Sequence, residues 1–341
     1  MLAGATGYIG AHVARELQGA GYKLLCPVRD PASPTARALA EDLDAAVQDG
    51  PSARTASLPG TADASPQVRL VPLDLSRVEA LAEHLPARSV DAVISCIATR
   101  SGAPDDAERV EYLANARLLA WARGAGVGHF TLLSAICVQK PRLAFQHAKL
   151  RFERELAASG MPHSIVRPTA FFKSLSGQVE RVRRGKPFLL FGSGDLTACK
   201  PIAESDLARY LRLTLEDPAL RGILPVGGPG PALTPRDQAG LLAQLANQPL
   251  RTRSVPPALL SGIAAILQLG AGLSQRLAAK AEFARIGHYY ATESMLLWDE
   301  KTGRYDADAT PEFGELTLAD SYRAQLAGEQ KQALGEHAMF Q

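Results

Sequence analysis

The chain has 341 residues, 46% of them apolar and 21% charged, enough apolar material to bury a large core and too much for a disordered protein. A net charge of +2 built from interspersed signs excludes a nucleic-acid footprint, and the one compact basic group, Arg181, Arg183, Arg184 and Lys186, reads as a solvated helix face. Cys26, Cys96, Cys137 and Cys199 stand far apart, without the short spacing that metal ligation needs. They are expected to be small core residues in a reducing, cytoplasmic setting, with no metal bound.

Gly4 follows Met1 by three residues, so no signal peptide is expected. A central strand usually has about five or six residues, and the expectation is a first strand that is clipped or that starts upstream. Gly4-Ala5-Thr6-Gly7-Tyr8-Ile9-Gly10 then opens a helix over residues 9–17. Glycines at this spacing tighten the turn, admit backbone N–H groups to a pyrophosphate and let the helix pack on the strand, so Gly4, Thr6, Gly7, Tyr8, Ile9 and Gly10 are expected to hold a dinucleotide. A second strand, 23–28, ends at Arg29-Asp30, where the ribose is read. An acid there accepts from a 2′-hydroxyl and an arginine complements a 2′-phosphate; Arg29 comes first, which favours NADPH.

Residues 31–66 predict one helix, 36–47, and a polar surface loop over 51–65. Further strands are predicted at 68–73, 92–97, 129–133 and 163–166, with helices at 110–122 and 148–158. Strands separated by helices imply right-handed crossovers and an α/β fold, a Rossmann-type doubly wound parallel sheet. Residues 1–170 are expected to form the NADP(H)-binding domain and 171–341 a smaller, mostly helical substrate-binding region, some of whose elements return to the sheet. Asp74, Cys96, Ala98 and Pro168 fall at strand ends where the cofactor passes, and Asn115 on the helix between them. Residues 254–275 carry no charge, but prolines, glycines and polar positions leave them short of a membrane span; a buried or interfacial helix is expected, with core packing favoured over contact with a greasy ligand or a membrane surface.

The segment LLSAICVQKPRLAFQHAKL, residues 132–150, resembles a short-chain dehydrogenase active site from which the acid is missing. Ser134 and Lys149 are present, but Phe145 stands at the tyrosine position. With Arg167-Pro168-Thr169 these residues resemble the atypical branch of that superfamily. The stretches LLSAICVQKP, FQHAKL, SIVRPTAFFKSLSGQVE, GKPFLLFGSGDLTACKPI, LPVGGPGPALTP and IGHYYATESM are closer still to the NADPH-dependent 8-vinyl reductases of chlorophyll and bacteriochlorophyll biosynthesis.

That resemblance implies reduction of the 8-vinyl group of divinyl chlorophyllide or divinyl protochlorophyllide to ethyl, with NADPH and without metal or flavin. It also implies that phenylalanine at position 145 is normal for the family. The chemistry agrees: hydride addition to a ketone puts charge on one oxygen, where a positioned acid is worth roughly 10²–10⁴-fold, whereas addition to a conjugated vinyl spreads charge over the macrocycle. Lys149 is then expected to hold the nicotinamide ribose, and Ser134 to orient the carboxamide or a water. Phe145, Phe171 and Phe172 would offer apolar surface to the pigment, with core packing the alternative for Phe171 and Phe172. His147, Tyr289 and Tyr290 are proton-donor candidates by chemistry alone.

Two other readings stay open, a non-catalytic NADP(H) sensor and a reductase of a smaller conjugated substrate. A greasy substrate is compatible with peripheral contact at photosynthetic membranes, although no lipidation motif argues for it, and no obligate protein partner is expected.

Overall fold

The computed structural model describes residues 1–49, 67–77, 81–83, 85, 90–99, 101–270 and 274–328. The loop expected over 51–65 lies outside them. Five parallel strands form the central sheet: β1 (Leu2–Ala3), β4 (Ala92–Ser95), β5 (His129–Leu133), β6 (His163–Pro168) and β8 (Gly222–Val226), in the order β1-β4-β5-β6-β8. β2 (Leu24–Val28) and β3 (Val68–Pro72) pair in parallel as a separate two-stranded ribbon beside β1. The first strand has two residues, in register Leu2↔Ile94 and Ala3↔Ser95.

Side chains of a strand alternate between its two faces, and the sheet divides accordingly. Leu2, Ile94, Leu133 and Val166 join the core beneath α1 (Tyr8–Gly19), α2 (Pro34–Asp49) and α8 (Glu204–Glu216). Ala3, Val93, Phe130, Leu132 and Ile165 join the opposite core beneath α4 (Ala114–Gly124) and α5 (Ala144–Ala158). Helices on both faces make the sheet doubly wound. β8 and α8 belong to it although they lie past residue 170.

The helix expected at 110–122 is three pieces: a short α3 (Pro104–Ala107), a π-helical turn (Glu108–Leu113) and then α4. Beyond the sheet, α6 (Phe172–Leu175), α7 (Val179–Arg183), α9 (Pro235–Leu245) and α12 (Leu318–Leu326) surround a third core with Phe172, Phe188, Leu242 and Tyr322. There β7 (Phe188–Phe191) pairs with β9 (Thr252–Val255). The basic group lies here, with Arg183 and Arg184 both paired to Glu180 on their own helix surface.

The last elements are α10 (Ala258–Leu269), α11 (Gln275–Thr292) and the antiparallel hairpin β10 (Leu297–Asp299) and β11 (Arg304–Asp306). The core-packing expectation for residues 254–275 is corrected here. In α10 only Ala264 is buried, while Leu259, Ile263, Ile266 and Leu269 are exposed, Leu269 at 87%. α10 packs chiefly on α11, and one neighbour covers one face of a helix that is apolar all round.

Candidate active site

The first strand delivers its chain into a turn that only glycines fit. Gly4 has φ +83°, and a Cβ there would lie 2.7 Å from the Cys96 carbonyl oxygen. A Cβ on Gly10 would lie 2.0 Å from the Gly4 carbonyl oxygen, so α1 could not seat against the turn. Gly7, whose N–H donates to Gly4 O at 2.9 Å, is the N-cap of α1, with no side chain capping the helix and no acid in its first turn. Uncapped N–H groups at a helix start, in a cradle that side chains would fill, suit a pyrophosphate. Lys173 adds a cation over the Tyr8 ring, 3.9 Å from its centroid.

At the end of β2, Asp30 is used locally: its Oδ1 accepts from the Ala32 N–H at 2.8 Å. Arg29 is exposed beside it and forms no ion pair among the described residues. Asp74, past β3, is also occupied by its own turn, accepting from the Ser76 N–H at 3.0 Å and the Ser76 hydroxyl at 2.6 Å. Cys96 stacks its backbone against Gly4, Ala98 is exposed at the same edge, and Pro168 is buried at the end of β6 opposite Val226.

α5 carries Lys149 inward, 8% exposed, to a residue that the sequence reading missed. Lys149 Nζ lies 2.7 Å from Glu111 Oε2, and Glu111 is 2% exposed. The Glu111 Oε1 accepts from the Thr99 N–H at 2.9 Å, tying the pair to the loop after β4. Glu111 sits in the π-helical turn, a wider turn that often marks functional sites. One turn on, Asn115 donates to Glu111 O at 2.9 Å and accepts from Ser95 Oγ at 2.6 Å. Glu111, Asn115, Leu118 and Ala122 form one buried stripe, so an acid on an apolar face was the available signal.

A second buried network holds Ser134. Its hydroxyl donates to Glu153, which is 3% exposed, and Glu153 also pairs with Arg167. The proton of the Ser134 hydroxyl is therefore committed to a carboxylate, and only its oxygen lone pairs remain for a ligand. Lys149 and Glu153 are one turn apart on α5, so a single helix face carries both ion pairs.

Phe145, one turn before Lys149, packs in a cluster with Ile136, Cys137, Ile286, Tyr289 and Met295. α11 closes this side. Ile286 sits so near Gly102 that a Cβ there would lie 2.5 Å from its Cδ1, and Arg285 Nη2 donates to Arg142 O at 3.2 Å. Tyr289 is 3% exposed, and its hydroxyl hydrogen-bonds the carbonyls of Cys137 and Lys140 at 2.9 and 3.0 Å. Next to them, Lys140 lies 2.7 Å from Glu293 and 4.2 Å from the Trp298 ring centroid, and Gln139 accepts from the Trp298 N–H at 2.8 Å. The Gln139-Lys140 motif thus clamps the C-terminal hairpin.

The remaining expected residues separate. His147 is exposed on the opposite face of α5, beside Glu108, Arg151 and Arg154. Phe172 is 3% exposed and belongs to the third core, so it offers no surface to a pigment. Phe171 is half-buried, packing against the α1 side of the sheet through its bridge to Ile202. Burial pushes the Cys96 thiol up to about 12 against the nearby Lys149 charge, and raises Cys137 likewise, which keeps both thiols protonated and unreactive.

The profile of the NAD dependent epimerase/dehydratase family matches residues 1–155. Two solved structures share the fold: an NADPH-dependent quinone oxidoreductase from Escherichia coli complexed with NADPH (TM-score 0.64, 18% identity, 95% of this chain and 98% of that one) and a UDP-glucose 4-epimerase from Thermotoga maritima (TM-score 0.61, 16% identity, 96% of each). These likenesses show a Rossmann-type fold. It is 41% identical to the chloroplastic divinyl chlorophyllide a 8-vinyl-reductase of Zea mays over all of this chain and 82% of the relative. It is 38% identical to that of Arabidopsis thaliana over 98% of this chain and 79% of the relative. Similarity at this level over the whole length shows that the chain belongs to the divinyl chlorophyllide a 8-vinyl-reductase family.

Proposed function

We propose that the protein reduces the 8-vinyl group of divinyl chlorophyllide or divinyl protochlorophyllide to ethyl with NADPH. The observation that carries this reading is Phe145, an apolar ring one turn from a buried, paired Lys149, where a carbonyl reductase needs a phenol. A conjugated vinyl acceptor distributes the incoming charge over its macrocycle and needs no acid at that position.

The glycine cradle and the start of α1 fit a dinucleotide, which supplies hydride when bound. Gly4, Gly7 and Gly10 would admit the pyrophosphate, with Thr6, Tyr8 and Ile9 beside it, and Lys149 would approach the nicotinamide ribose. Arg29 supports NADPH over NADH, because it is exposed at the ribose position while Asp30 is spent on its own turn. Ser134 would serve through its lone pairs, its proton being held by Glu153.

Peripheral contact with a membrane belongs to the same reading. Among the described residues no helix is long and apolar enough to cross a bilayer. The exposed Leu259, Ile263, Ile266 and Leu269 recur on α10 at helical spacing, and exposed Arg251 and Arg253 precede it, a pairing that suits an anionic lipid surface.

The test is to incubate the purified protein with divinyl chlorophyllide and NADPH and to follow the Soret band. Loss of vinyl conjugation with one NADPH oxidised per pigment is expected. NADPH binding without any spectral change in the pigment would support a nucleotide sensor and overturn the proposal.

A further inference from the structure

The reaction needs a proton as well as a hydride, and Phe145 has none to give. Among the described residues, Tyr289 and His147 are disqualified by geometry, since one hydroxyl is held by two backbone carbonyls and the imidazole faces away. Tyr290 differs from both. Its ring packs edge-on against Tyr289, with centroids 5.6 Å apart and planes at 89°, and the residue is 44% exposed. Its hydroxyl, however, points inward to Cys137 Sγ at 3.9 Å, its sole hydrogen-bond partner among the described residues. A thiol is a weak acceptor, so the phenol proton is nearly uncommitted.

The inner end of Tyr290 also lies in the right neighbourhood. Cys137 packs in the same cluster as Phe145. Cys137 and Cys96 both feel the charge of Lys149, and Tyr290 feels that of Glu111. Cys96 abuts Gly4 of the phosphate loop. Cys137 thus joins the Tyr290 hydroxyl to the cluster that holds the Phe145 ring, one turn from Lys149 on α5. Enclosure of the hydroxyl, first, and then the negative neighbours raise its ionisation well above the ordinary tyrosine range, so it carries its proton throughout the physiological range.

We infer that Tyr290 is the catalytic proton donor: α11 supplies, from the C-terminal region, the phenol that α5 lacks at Phe145. This rests on the vinyl-reductase reading. A new C–H bond forms at the terminal vinyl carbon as hydride arrives, and the π pair of the C=C bond moves into the macrocycle. The inner vinyl carbon then takes the proton as the Tyr290 O–H bond breaks. The tyrosinate regains a proton from water. The vinyl group gains two electrons and the nicotinamide loses two, with one solvent proton consumed.

The experiment compares wild type with Tyr290→Phe and Tyr289→Phe in single-turnover reduction of divinyl chlorophyllide, in H₂O and D₂O, alongside binding titrations with NADPH and pigment. Tyr290→Phe should bind both ligands within about twofold of wild type yet reduce the vinyl group about a hundredfold more slowly, the ordinary scale for a lost general acid. Its solvent isotope effect should differ from that of wild type. Tyr289→Phe should lose stability and keep the rate. A wild-type rate and isotope effect in Tyr290→Phe overturns the inference while leaving the vinyl-reductase reading intact; no reduction by wild type overturns both. If Tyr290→Phe does not fold, 3-fluorotyrosine at position 290 keeps the shape and lowers the phenol pKa. A changed rate and solvent isotope effect are then expected, and wild-type values of both overturn the inference.

Discussion

Lys149 Nζ and Glu111 Oε2 lie 2.7 Å apart with both residues under a tenth exposed, joining α5 to the π-helical turn before α4. Breaking a buried pair from one side leaves an uncompensated charge, at a cost of about 3–5 kcal/mol. Glu111→Ala should therefore lower the thermal midpoint sharply in a denaturation scan. The double variant Glu111→Gln/Lys149→Met removes both charges and should recover most of that stability. It should still bind NADPH poorly by fluorescence titration, because stability needs the pair neutralised while the cofactor needs the ammonium. Full recovery of cofactor affinity would remove Lys149 from the site.

The glycine cradle predicts a steric loss. Gly10→Ala puts a methyl 2.0 Å from the Gly4 carbonyl oxygen, a contact with backbone that no rotamer relieves. Overpacking of this kind costs about 1–3 kcal/mol. Here it also displaces the start of α1, so NADPH affinity should fall at least about tenfold in equilibrium titration, which corresponds to about 1.4 kcal/mol.

Arg29 should separate the two nicotinamide nucleotides. A charge-assisted contact with a 2′-phosphate is worth about 1.5–3 kcal/mol, so Arg29→Ala should raise the NADPH Kd about ten- to a hundredfold and leave the NADH Kd nearly unchanged. Equal weakening of both would assign Arg29 to the fold.

His129, at the start of β5, is 7% exposed, with Nε2 3.1 Å from Ser164 Oγ. Burial, with the neighbouring Arg221 and His163 charges, lowers its pKa from 6.5 to about 4. A depressed folded pKa contributes stability that is present above 6.5 and lost as pH falls from there through about 4, since the unfolded chain takes the proton first. At about 1.4 kcal/mol per pKa unit the loss is of the order of 3 kcal/mol. Urea titrations of His129→Asn between pH 7 and 4 should show a flatter decline than wild type.

The apolar face of α10 predicts a lipid effect. Ile266→Glu with Leu269→Glu changes two exposed side chains, so stability should hold within about 0.5 kcal/mol. Co-sedimentation with anionic vesicles should fall severalfold. Unchanged sedimentation would reject membrane contact through this helix.

Much of the molecule was legible in the chain itself. The spacing of Gly4, Gly7 and Gly10 and the alternating apolar runs determined the tight glycine turn, the parallel sheet and its two buried faces, because those depend on local periodicity and steric allowance. The contrast of Phe145 with Lys149 was equally readable, one helical turn apart on one helix. What only the tertiary structure decided were partnerships across long separations. Glu111 meets Lys149 and Tyr290 meets Cys137 over 38 and 153 residues, and no local pattern encodes which buried charge or hydroxyl will find which neighbour. Likewise α10 reads as core by composition and is exposed in fact, since burial depends on how many faces the neighbours cover. Periodicity fixes which side of an element is apolar; packing alone fixes what stands opposite it.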